Sequence, residues 1–412
     1  MIVEVLNTGT ELLLGEVVNT HAAWIGRRLF PIGLRVSRQT TVPDGGAIRD
    51  ALIESFERAD VVFVTGGLGP TTDDVTREVV AEVLGLRLVE DVPVRAGIRA
   101  RLEARCITLR GRMLRQAMVP EGATVLPNDN GTAPGLYVPA ITAPSSATPH
   151  LFLLPGPPRE LQPMFERSVL PLLGGLCGGI VPRACRIYRV VGMGESEVEE
   201  VIGLRLSANP LLEVGYCARP NEVDFRIIGD PAVLEASEPA ILKALGDRLV
   251  SCRGEGIEEW IVARLRELGR TVATAESCSG GLLAHRLTNV PGASAVFRHG
   301  FVTYADAAKT SDLGVDAELI SANGAVSAPV ALAMAEGALR KAEADFALAL
   351  TGIAGPDGGT PAKPVGLVFI ALARHGRETL RRECRFPTDR ETFKQLATQT
   401  ALDMLRREIL PV

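Results

Sequence analysis

The sequence has little of what marks a membrane protein, a disulfide scaffold or a nucleic-acid binder. Nowhere do 18 apolar residues run uninterrupted, and the opening MIVEVLNTG lacks the basic segment of a secretory signal. The seven cysteines are widely spaced and form no CxxC pair, which is typical neither of a zinc site nor of a disulfide framework. Lysine and arginine total 44 against 49 aspartates and glutamates, so the chain lacks the positive excess that non-specific nucleic-acid affinity requires. These absences predict a cytoplasmic protein that binds neither a membrane nor nucleic acid directly.

The residues that are present suffice for several folded domains. The chain has 412 residues, of which 46% are hydrophobic, and this length accommodates two or three domains. Over the first ~170 residues, strand-like runs such as DVVFVTGG alternate with helix-like runs such as AIRDALIESFER. The alternation predicts βαβ units around a mostly parallel sheet.

Composition indicates where the domains divide. The glycine- and proline-rich PLLGGLCGGIVP, residues 171–182, predicts the first boundary. A short module follows, in which RIYRVVGMG and EVDFRIIG alternate as strands, and its polar residues form no convergent set, so we expect no catalysis there. Near 252–258 the strand and helix alternation resumes. We therefore predict an α/β domain over 1–172, a small α+β module over 173–252 and a second α/β domain over 253–412.

The segment TGGLGPTTDDVT, residues 65–76, predicts a strand, a glycine turn and a helix that begins near Thr72 or Asp73. Backbone N–H groups of such a turn can approach an anion closely, and a helix N-terminus adds partial positive charge. The candidate nucleotide-binding residues of this turn are Gly66, Gly67, Gly69 and Thr71. An alternative is that the threonines and Asp73 only cap the helix.

Two carboxylates can complete this site. Asp44, in TVPDGGAIRD, lies between a predicted strand and a predicted helix, and Asp74 follows the glycine turn. Because ligands of open α/β sheets bind at the carboxyl ends of strands, the two side chains can converge on one crevice. There they can hold a divalent metal ion beside a phosphate, since hard cations prefer carboxylate oxygen.

Five ordered motifs in this half carry a family resemblance. They are GTELLLGEVVNT (9–20), VPDGGAI (42–48), TGGLGPTTDDVT (65–76), PNDNGTAPG (127–135) and LPGPPREL (154–161). Together they resemble the molybdopterin-binding-like domain of the CinA family. The resemblance implies a three-layer α/β fold, a nucleotide-type ligand, and metal-dependent hydrolysis of ADP-ribose with Asp44 and Asp74 at the acidic metal site.

The last ~160 residues contain three histidines, His285, His299 and His375, and none lies in a triad-like motif such as GxSxG. A hydrolase here would need another base, and lysine can serve when burial or a neighbouring cation activates it. Lys309, in FVTYADAAK, is a candidate five residues after Tyr304. On this stretch alone a solvated helix lysine is the favoured interpretation.

Six further motifs in order resemble the nicotinamide mononucleotide deamidase domain of CinA proteins. They are AESCSGGLLA, VPGASAVFRHGFVTYADAAK, GAVSAPV, TGIAGPDGG, KPVGLV and FPTDRE, and they cover about 255–412. The resemblance implies an α/β deamidase domain that needs no cofactor, with Ser294 as the nucleophile, Lys309 as its base and Tyr304 orienting the lysine. The implied substrate-binding residues are Ser277, Ser279, Gly280, Thr351, Gly352 and Arg390.

Two features leave alternatives open. Cys278 is a second candidate nucleophile, because a helix N-terminus can lower a thiol pKa. The family commonly has asparagine where this chain has Asp306, and a carboxylate cannot donate a hydrogen bond to a substrate amide. A different class of function also stands: a nucleotide- or pterin-binding regulatory protein linked to competence or DNA damage. As partners we expect nicotinamide mononucleotide, ADP-ribose and a second copy of the chain in a dimer.

Overall fold

The computed structural model describes residues 1–108, 111–143, 146–178 and 183–410, and the chain divides into two units, Met1–Arg183 and Ala184–Val412. Among the helices in these ranges, none is long and apolar enough to cross a bilayer. The PLLGG stretch that predicts a boundary is helical, because helix Leu170–Leu176 begins just before Pro171 and continues through Gly174 and Gly175. The predicted division after residue 172 therefore lies inside a helix.

The first unit is built on a mixed six-stranded sheet. Its strands are β1 Val3–Thr8, β2 Val36–Val42, β3 Val61–Thr65, β4 Leu88–Glu90, β5 Met118–Pro120, β6 Thr124–Leu126, β7 Gly135–Val138, β8 Thr142–Ala143, β9 Ser146–Ala147 and β10 His150–Leu154. The sheet order is β2-β1-β3-β10-β7-β6, while β4 pairs with β5 and β8 with β9. The first four strands of that order are parallel, and β7 and β6 are antiparallel to their neighbours.

Helices cover both faces of this sheet. They are α1 Thr10–Leu13, α2 His21–Leu29, α3 Ala47–Phe56, α4 Thr76–Leu84, α5 Val92–Ala104, α6 Pro158–Met164 and α7 Leu170–Leu176. One face of β1 and β3 packs with α2 and with the continuous α6–α7 segment, and the other packs with α3 and α4. Because β1, β3 and β10 are buried on both faces, their sequences are nearly continuous apolar runs. The three-layer α/β fold expected for this unit is confirmed.

The second unit contains two sheets. Its strands are β11 Ala184–Val191, β12 Glu213–Arg219, β13 Glu222–Gly229, β14 Leu249–Ser251, β15 Val272–Glu276, β16 Phe297–Val302, β17 Phe346–Gly352, β18 Leu367–Arg374 and β19 Arg377–Arg385. The small antiparallel sheet has the order β12-β13-β11-β14, and the larger one has the order β16-β15-β17-β18-β19. In the larger sheet β16, β15 and β17 are parallel, whereas β18 and β19 are antiparallel.

The helices of the second unit sandwich the larger sheet and cover the smaller one. They are α8 Glu195–Val198, α9 Leu204–Ser207, α10 Pro231–Leu245, α11 Ile257–Leu268, α12 Leu282–Thr288, α13 Asp306–Leu313, α14 Ala317–Asn323, α15 Ala328–Ala342 and α16 Arg390–Glu408. Helices α11, α12 and α16 form one core with the larger sheet, and α13 to α15 form the other. The α/β architecture predicted for both large parts of the chain is confirmed.

Candidate functional sites

The first candidate site is a cleft at the carboxyl ends of the parallel strands of the first unit. Its volume is about 480 Å³, and it is lined by the loops that follow β1, β2, β3 and β10. Among the predicted residues, the cleft brings together Asp44, Asp74, Gly66, Gly67 and Gly69. Thr71 does not line the cleft, but it contacts Asp74 directly.

The glycine turn needs glycine for steric reasons. Gly66 and Gly67 have φ values of 99° and 66°, in the left-handed region that side chains disfavour. A Cβ on Gly66 would lie 2.6 Å from the carbonyl oxygen of Thr8, and one on Gly67 would lie 2.1 Å from Oγ1 of Thr76. The turn therefore packs directly against the end of β1 and the start of α4.

Helix α4 begins at Thr76, later than the predicted start near Thr72 or Asp73. Its N-cap is Val75, and no side chain caps it. The alternative interpretation, in which Thr71, Thr72 and Asp73 serve only as caps, is therefore wrong. The preceding residues are extended into a loop because Asp74 closes a local turn, accepting hydrogen bonds at Oδ2 from the Thr71 amide at 3.0 Å and from the Thr71 hydroxyl.

Asp44, which lines the same cleft, has a matching arrangement. Its Oδ2 accepts hydrogen bonds from the amide of Thr10 at 3.0 Å and from the Thr10 hydroxyl at 3.1 Å. Each carboxylate is thus fixed by one threonine. Across the described ranges, no three His, Cys, Asp or Glu side chains are grouped closely enough to hold a metal ion by themselves.

The cleft also contains charged and polar residues that were not among the predicted site residues. They include Glu11, Arg105, Gln116, Asn130, Arg159 and Glu160. Glu11 and Glu160 lie within the motifs GTELLLG and LPGPPREL, so the family resemblance held a signal for them. Arg105 lies at the end of α5 outside every quoted motif, and only the fold brings it to the cleft.

The second candidate site lies at the carboxyl ends of β15, β16 and β17. The amide of Thr303, just after β16, donates to the carbonyl of Glu276 at 2.8 Å, and the amide of Ser277 donates to the carbonyl of Leu350 at 3.0 Å. Ser277 is therefore held between the ends of the two neighbouring strands. Thr351 and Gly352 at the end of β17, and Tyr304 after β16, lie at the same edge.

Lys309 is buried at this edge and is not a solvated helix lysine. Its side chain is 1% exposed, although it lies on the short helix α13. The Nζ atom donates to the carbonyl oxygen of Tyr304 at 3.3 Å and to Oδ1 of Asp306 at 3.1 Å. A lysine buried so completely, with one carboxylate partner, is typical of a functional group more than of a surface charge.

Ser294 does not lie beside Lys309 in this chain. It lies in a short helical turn, Ala293–Ala295, before β16, and the carbonyl of neighbouring Val296 accepts a bond from Val272 at the start of β15. Lys309 follows the opposite end of β16. A six-residue strand spans about 20 Å, so the predicted pairing of Ser294 with Lys309 is not formed within one chain.

Tyr304 contacts Lys309 through its backbone, and its side chain contacts Arg390. The Tyr304 hydroxyl accepts a hydrogen bond from Nη2 of Arg390 at 2.9 Å, and Nη1 of Arg390 donates to the carbonyl of Gly355 at 2.8 Å. Lys394, one turn later on α16, lies near the glycine turn after β15: its Nζ is 3.9 Å from the position of a Cβ on Gly280. The edge therefore carries, in addition to buried Lys309, two cations on α16: Arg390 at Tyr304 and Lys394 near the glycine turn.

The helix start after β15 is already occupied by a carboxylate. Glu276 is fully buried, and its two oxygens accept hydrogen bonds from the amides of Gly281, Leu283 and Ala284 at 2.8 to 3.1 Å. These amides are therefore not free to bind an anion, although Gly280 in the same turn is among the implied substrate-binding residues. Glu276 was part of the quoted AESCSGG motif, but its capping role was not predicted.

Two more of the predicted binding residues face the interior. The Thr351 hydroxyl is buried and donates to the carbonyl of Ala325 at 2.8 Å. Ser279 is also buried, and its hydroxyl has no hydrogen-bond partner among the residues that the structure describes. Gly352 packs against β18, where a Cβ would lie 2.6 Å from the carbonyl of Leu367. These three residues therefore form the buried side of the strand edge.

Cys278 is not an activated thiol. It is 5% exposed, and burial raises the pKa of its thiol to about 12. A helix N-terminus can lower the pKa of a thiol, but at Cys278 the loss of solvation outweighs that effect. The alternative in which Cys278 is the nucleophile is therefore not supported by the structure.

Comparison with known proteins agrees with the resemblances drawn from the motifs. The family model described as "Probable molybdopterin binding domain" matches residues 4–175, and the "CinA C-terminal domain" matches residues 254–409. A CinA-like protein of Akkermansia muciniphila is 50% identical over 97% of this chain and 95% of its own length. A putative competence-damage inducible protein of Symbiobacterium thermophilum is 44% identical over 100% and 99% of the two chains. The crystal structure of a competence/damage inducible protein from Agrobacterium tumefaciens is 46% identical over 37% of this chain and 94% of its own, with a TM-score of 0.35.

Proposed function

The chain belongs to the CinA family, and we propose that its second unit hydrolyses the carboxamide of nicotinamide mononucleotide to nicotinate mononucleotide and ammonia. The observation that carries the proposal is the position of buried Lys309 at the same strand edge as Ser277, beside the cations Arg390 and Lys394. A base, a hydroxyl and a phosphate-binding pair are the groups that amide hydrolysis of a nucleotide needs.

The geometry favours Ser277 over Ser294 as the nucleophile. The proposed reaction starts from Lys309 as the neutral amine: Ser277 Oγ attacks the carboxamide carbon while the unprotonated Lys309 Nζ accepts the hydroxyl proton. The C–N bond then breaks, Lys309 returns the proton to the departing ammonia, and the acyl group remains on Ser277. Water cleaves this ester with Lys309 again as the base, which regenerates the hydroxyl and releases the carboxylic acid. Arg390 and Lys394 would bind the substrate phosphate.

Ammonia release from nicotinamide mononucleotide tests this proposal. We expect Ser277→Ala and Lys309→Met each to lower kcat by about 10³ or more, because the two groups act as one unit. Ser294→Ala is the matched control and should retain kcat. If Ser294→Ala is inactive and Ser277→Ala is active, the nucleophile is Ser294. Its contact with Lys309 then forms in an arrangement other than the one within a single chain. If the purified protein releases no ammonia, the deamidase proposal fails.

We further propose that the first unit hydrolyses ADP-ribose to AMP and ribose 5-phosphate. The observation that favours it is the single cleft of about 480 Å³ that holds both Asp44 and Asp74 beside the glycine turn. Two carboxylates fit a small divalent cation such as Mg²⁺, which proteins usually hold with one or two carboxylates together with substrate phosphates. Such an ion, when bound, would neutralise charge on the diphosphate, while the glycine turn would contact the phosphate oxygens.

Product analysis with ADP-ribose and Mg²⁺ or Mn²⁺ tests the second activity. We expect AMP and ribose 5-phosphate to form, and a chelator to abolish their formation. If ADP-ribose binds to the first unit but no product appears with either metal, the hydrolase proposal fails. That result would favour the alternative, a nucleotide-binding regulatory domain linked to competence or DNA damage.

A further inference from the structure

Two helices of the second unit begin at the candidate amide site. Helix α12 follows the loop that contains Ser277, and α16 begins with Arg390 and carries Lys394 in its second turn. The separation of these two helices sets the distance between the loop and the two cations. What holds the helices together therefore affects the geometry of the site.

One guanidinium links these helices to a third. Arg286 on α12 donates from Nε to Glu258 of α11 at 2.5 Å, from Nη1 to the hydroxyl of Thr398 at 3.0 Å, and from Nη2 to Oε1 of Gln399. Its side chain is 17% exposed. The Thr398 hydroxyl in turn donates to the carbonyl of Lys394 at 2.9 Å. Arg286 is therefore bonded to the helical turn that presents Lys394.

The chain of contacts continues into the small sheet. The same Gln399 amide that accepts from Arg286 donates from Nε2 to Oε2 of Glu222 on β13, at 2.9 Å. Both side chains are buried. Arg189 and Arg219 each lie 3.8 Å from the Glu222 carboxylate but pair more closely with Asp224, at 2.8 and 2.7 Å, and burial raises the pKa of Glu222. A residue of the small sheet thus fixes the orientation of the amide that Arg286 binds.

We infer that Arg286 and Glu222 are positioning residues for the amide site, so that the small sheet helps to set the affinity of the second unit for its substrate. The inference rests on the proposed deamidase function. A planar guanidinium with partners on two other helices adds directional hydrogen bonds to the apolar packing and so fixes α12 relative to α16. Because α16 carries the cations for the substrate phosphate, loosening it should affect KM more than kcat.

The test compares full-length variants by steady-state kinetics, thermal unfolding and hydrogen–deuterium exchange. For Arg286→Ala we expect kcat/KM for nicotinamide mononucleotide to fall about 10- to 100-fold, mainly through KM, with faster exchange in residues 277–285 and 389–398. Arg286→Lys should not restore KM, because an ammonium cannot reproduce the fork of donors. Glu222→Ala should raise KM about fivefold, whereas Glu222→Gln, which keeps an acceptor oxygen, should remain near the wild type.

Arg374→Ala is the matched control. Arg374 is similarly buried and bonded to Glu408 at 2.9 Å, but it pairs with the first residue of β17 at the opposite edge of the sheet. The inference is wrong if Arg286→Ala or Glu222→Ala matches the wild type in both KM and exchange, or if Arg374→Ala has an equal effect. If the wild type releases no ammonia, the deamidase proposal fails, and the exchange comparison alone decides whether Arg286 and Glu222 position the two helices.

Discussion

Adjacent residues in the loop after β15 have different surroundings. Ser277 is partly exposed at the strand edge, whereas Cys278 is buried and burial raises its thiol pKa to about 12. An unfolded cysteine has a pKa of about 8.5. Above that pH the unfolded chain loses a proton that the folded chain keeps. The stability associated with the neutral thiol is therefore fully present below about pH 8.5 and is lost as the pH rises toward 12.

This difference predicts a pH-dependent effect of Cys278→Ala. Between pH 7.5 and pH 10, the wild type should lose about 2 kcal/mol more unfolding free energy than the variant, at about 1.4 kcal/mol per pH unit above the unfolded pKa. Urea denaturation at the two pH values measures the difference. Cys106→Ala, at an exposed position, is the control and should show no such difference. A gap between wild type and Cys278→Ala that does not change with pH would contradict the raised pKa.

Asp306 gives a second prediction at the residue scale. Its Oδ1 accepts a hydrogen bond from Lys309, and asparagine could accept the same bond while adding an N–H donor for a substrate amide. We expect Asp306→Asn to raise kcat/KM for deamidation about fivefold, the value of one additional hydrogen bond. Asp306→Ala, which removes the acceptor, should lower it. Equal rates for the wild type and Asp306→Asn would mean that position 306 does not contact the substrate.

Single residues were predictable from motifs only in part. Lys309 was identified from its motif. Its burial was not predicted, because the sequence around a lysine near the start of a short helix does not indicate whether the side chain is buried. The assignment of Ser294 as the nucleophile followed the family stretch, and it stays a prediction. Ser277 and Lys309 follow the carboxyl ends of neighbouring parallel strands, whereas Ser294 precedes one of those strands. Strand direction, once known, separates the two serines.

At the scale of elements, the apolar strands were the most predictable features. The run DVVFVTGG folds as the buried strand β3. The start of α4 was placed several residues too early, because Thr72 and Asp73 have the composition of caps but lie in a loop that Asp74 closes. The predicted boundary stretch 171–182 ends one residue before the division after Arg183, but its first part, with Gly174 and Gly175, is helical and packs through Leu173.

The glycine turn before α4 gives a prediction with a matched control. Gly67 and Gly85 have the same φ of 66°, but a Cβ on Gly67 would lie 2.1 Å from Oγ1 of Thr76, while Gly85 faces open space. We expect Gly85→Ala to cost about 1 kcal/mol and to leave ADP-ribose cleavage intact. Gly67→Ala should unfold at lower temperature and lose cleavage about tenfold or more, because the turn must move away from α4.

A second substitution tests the cause of that loss. The Thr76 hydroxyl has no hydrogen-bond partner within the described part of the chain, so removing it should relieve the contact at little cost. Gly67→Ala combined with Thr76→Ala should therefore recover part of both the Tm and the cleavage rate. If the double variant is no better than Gly67→Ala alone, backbone strain at φ 66° and not the clash accounts for the loss.

At the scale of the molecule, the two candidate sites are built on separate units with separate residues. The small sheet of the second unit was expected to be catalytically silent, and that stays a prediction. The structure adds that it shares buried contacts with the larger sheet's helices, since Gln399 bonds to Glu222 and Arg406 donates to the carbonyl of Asp247 at 2.7 Å. Composition could reveal a module here but could not reveal these contacts, because they join residues about 160 to 180 positions apart.

Separate sites predict independent loss of the two proposed activities. Asp74→Asn removes one of the two cleft carboxylates while keeping an oxygen that can accept the Thr71 bond, so the loop should stay folded. We expect it to lower metal-dependent ADP-ribose cleavage by about 10² or more and to leave ammonia release within about twofold of the wild type. Ser277→Ala should do the reverse. Both activities are measured on the same preparations, with Tm to confirm folding. Loss of both activities in a folded Asp74→Asn protein would mean that the two units share a site or are coupled, because a change confined to the first cleft should not otherwise affect chemistry at the edge of the second sheet.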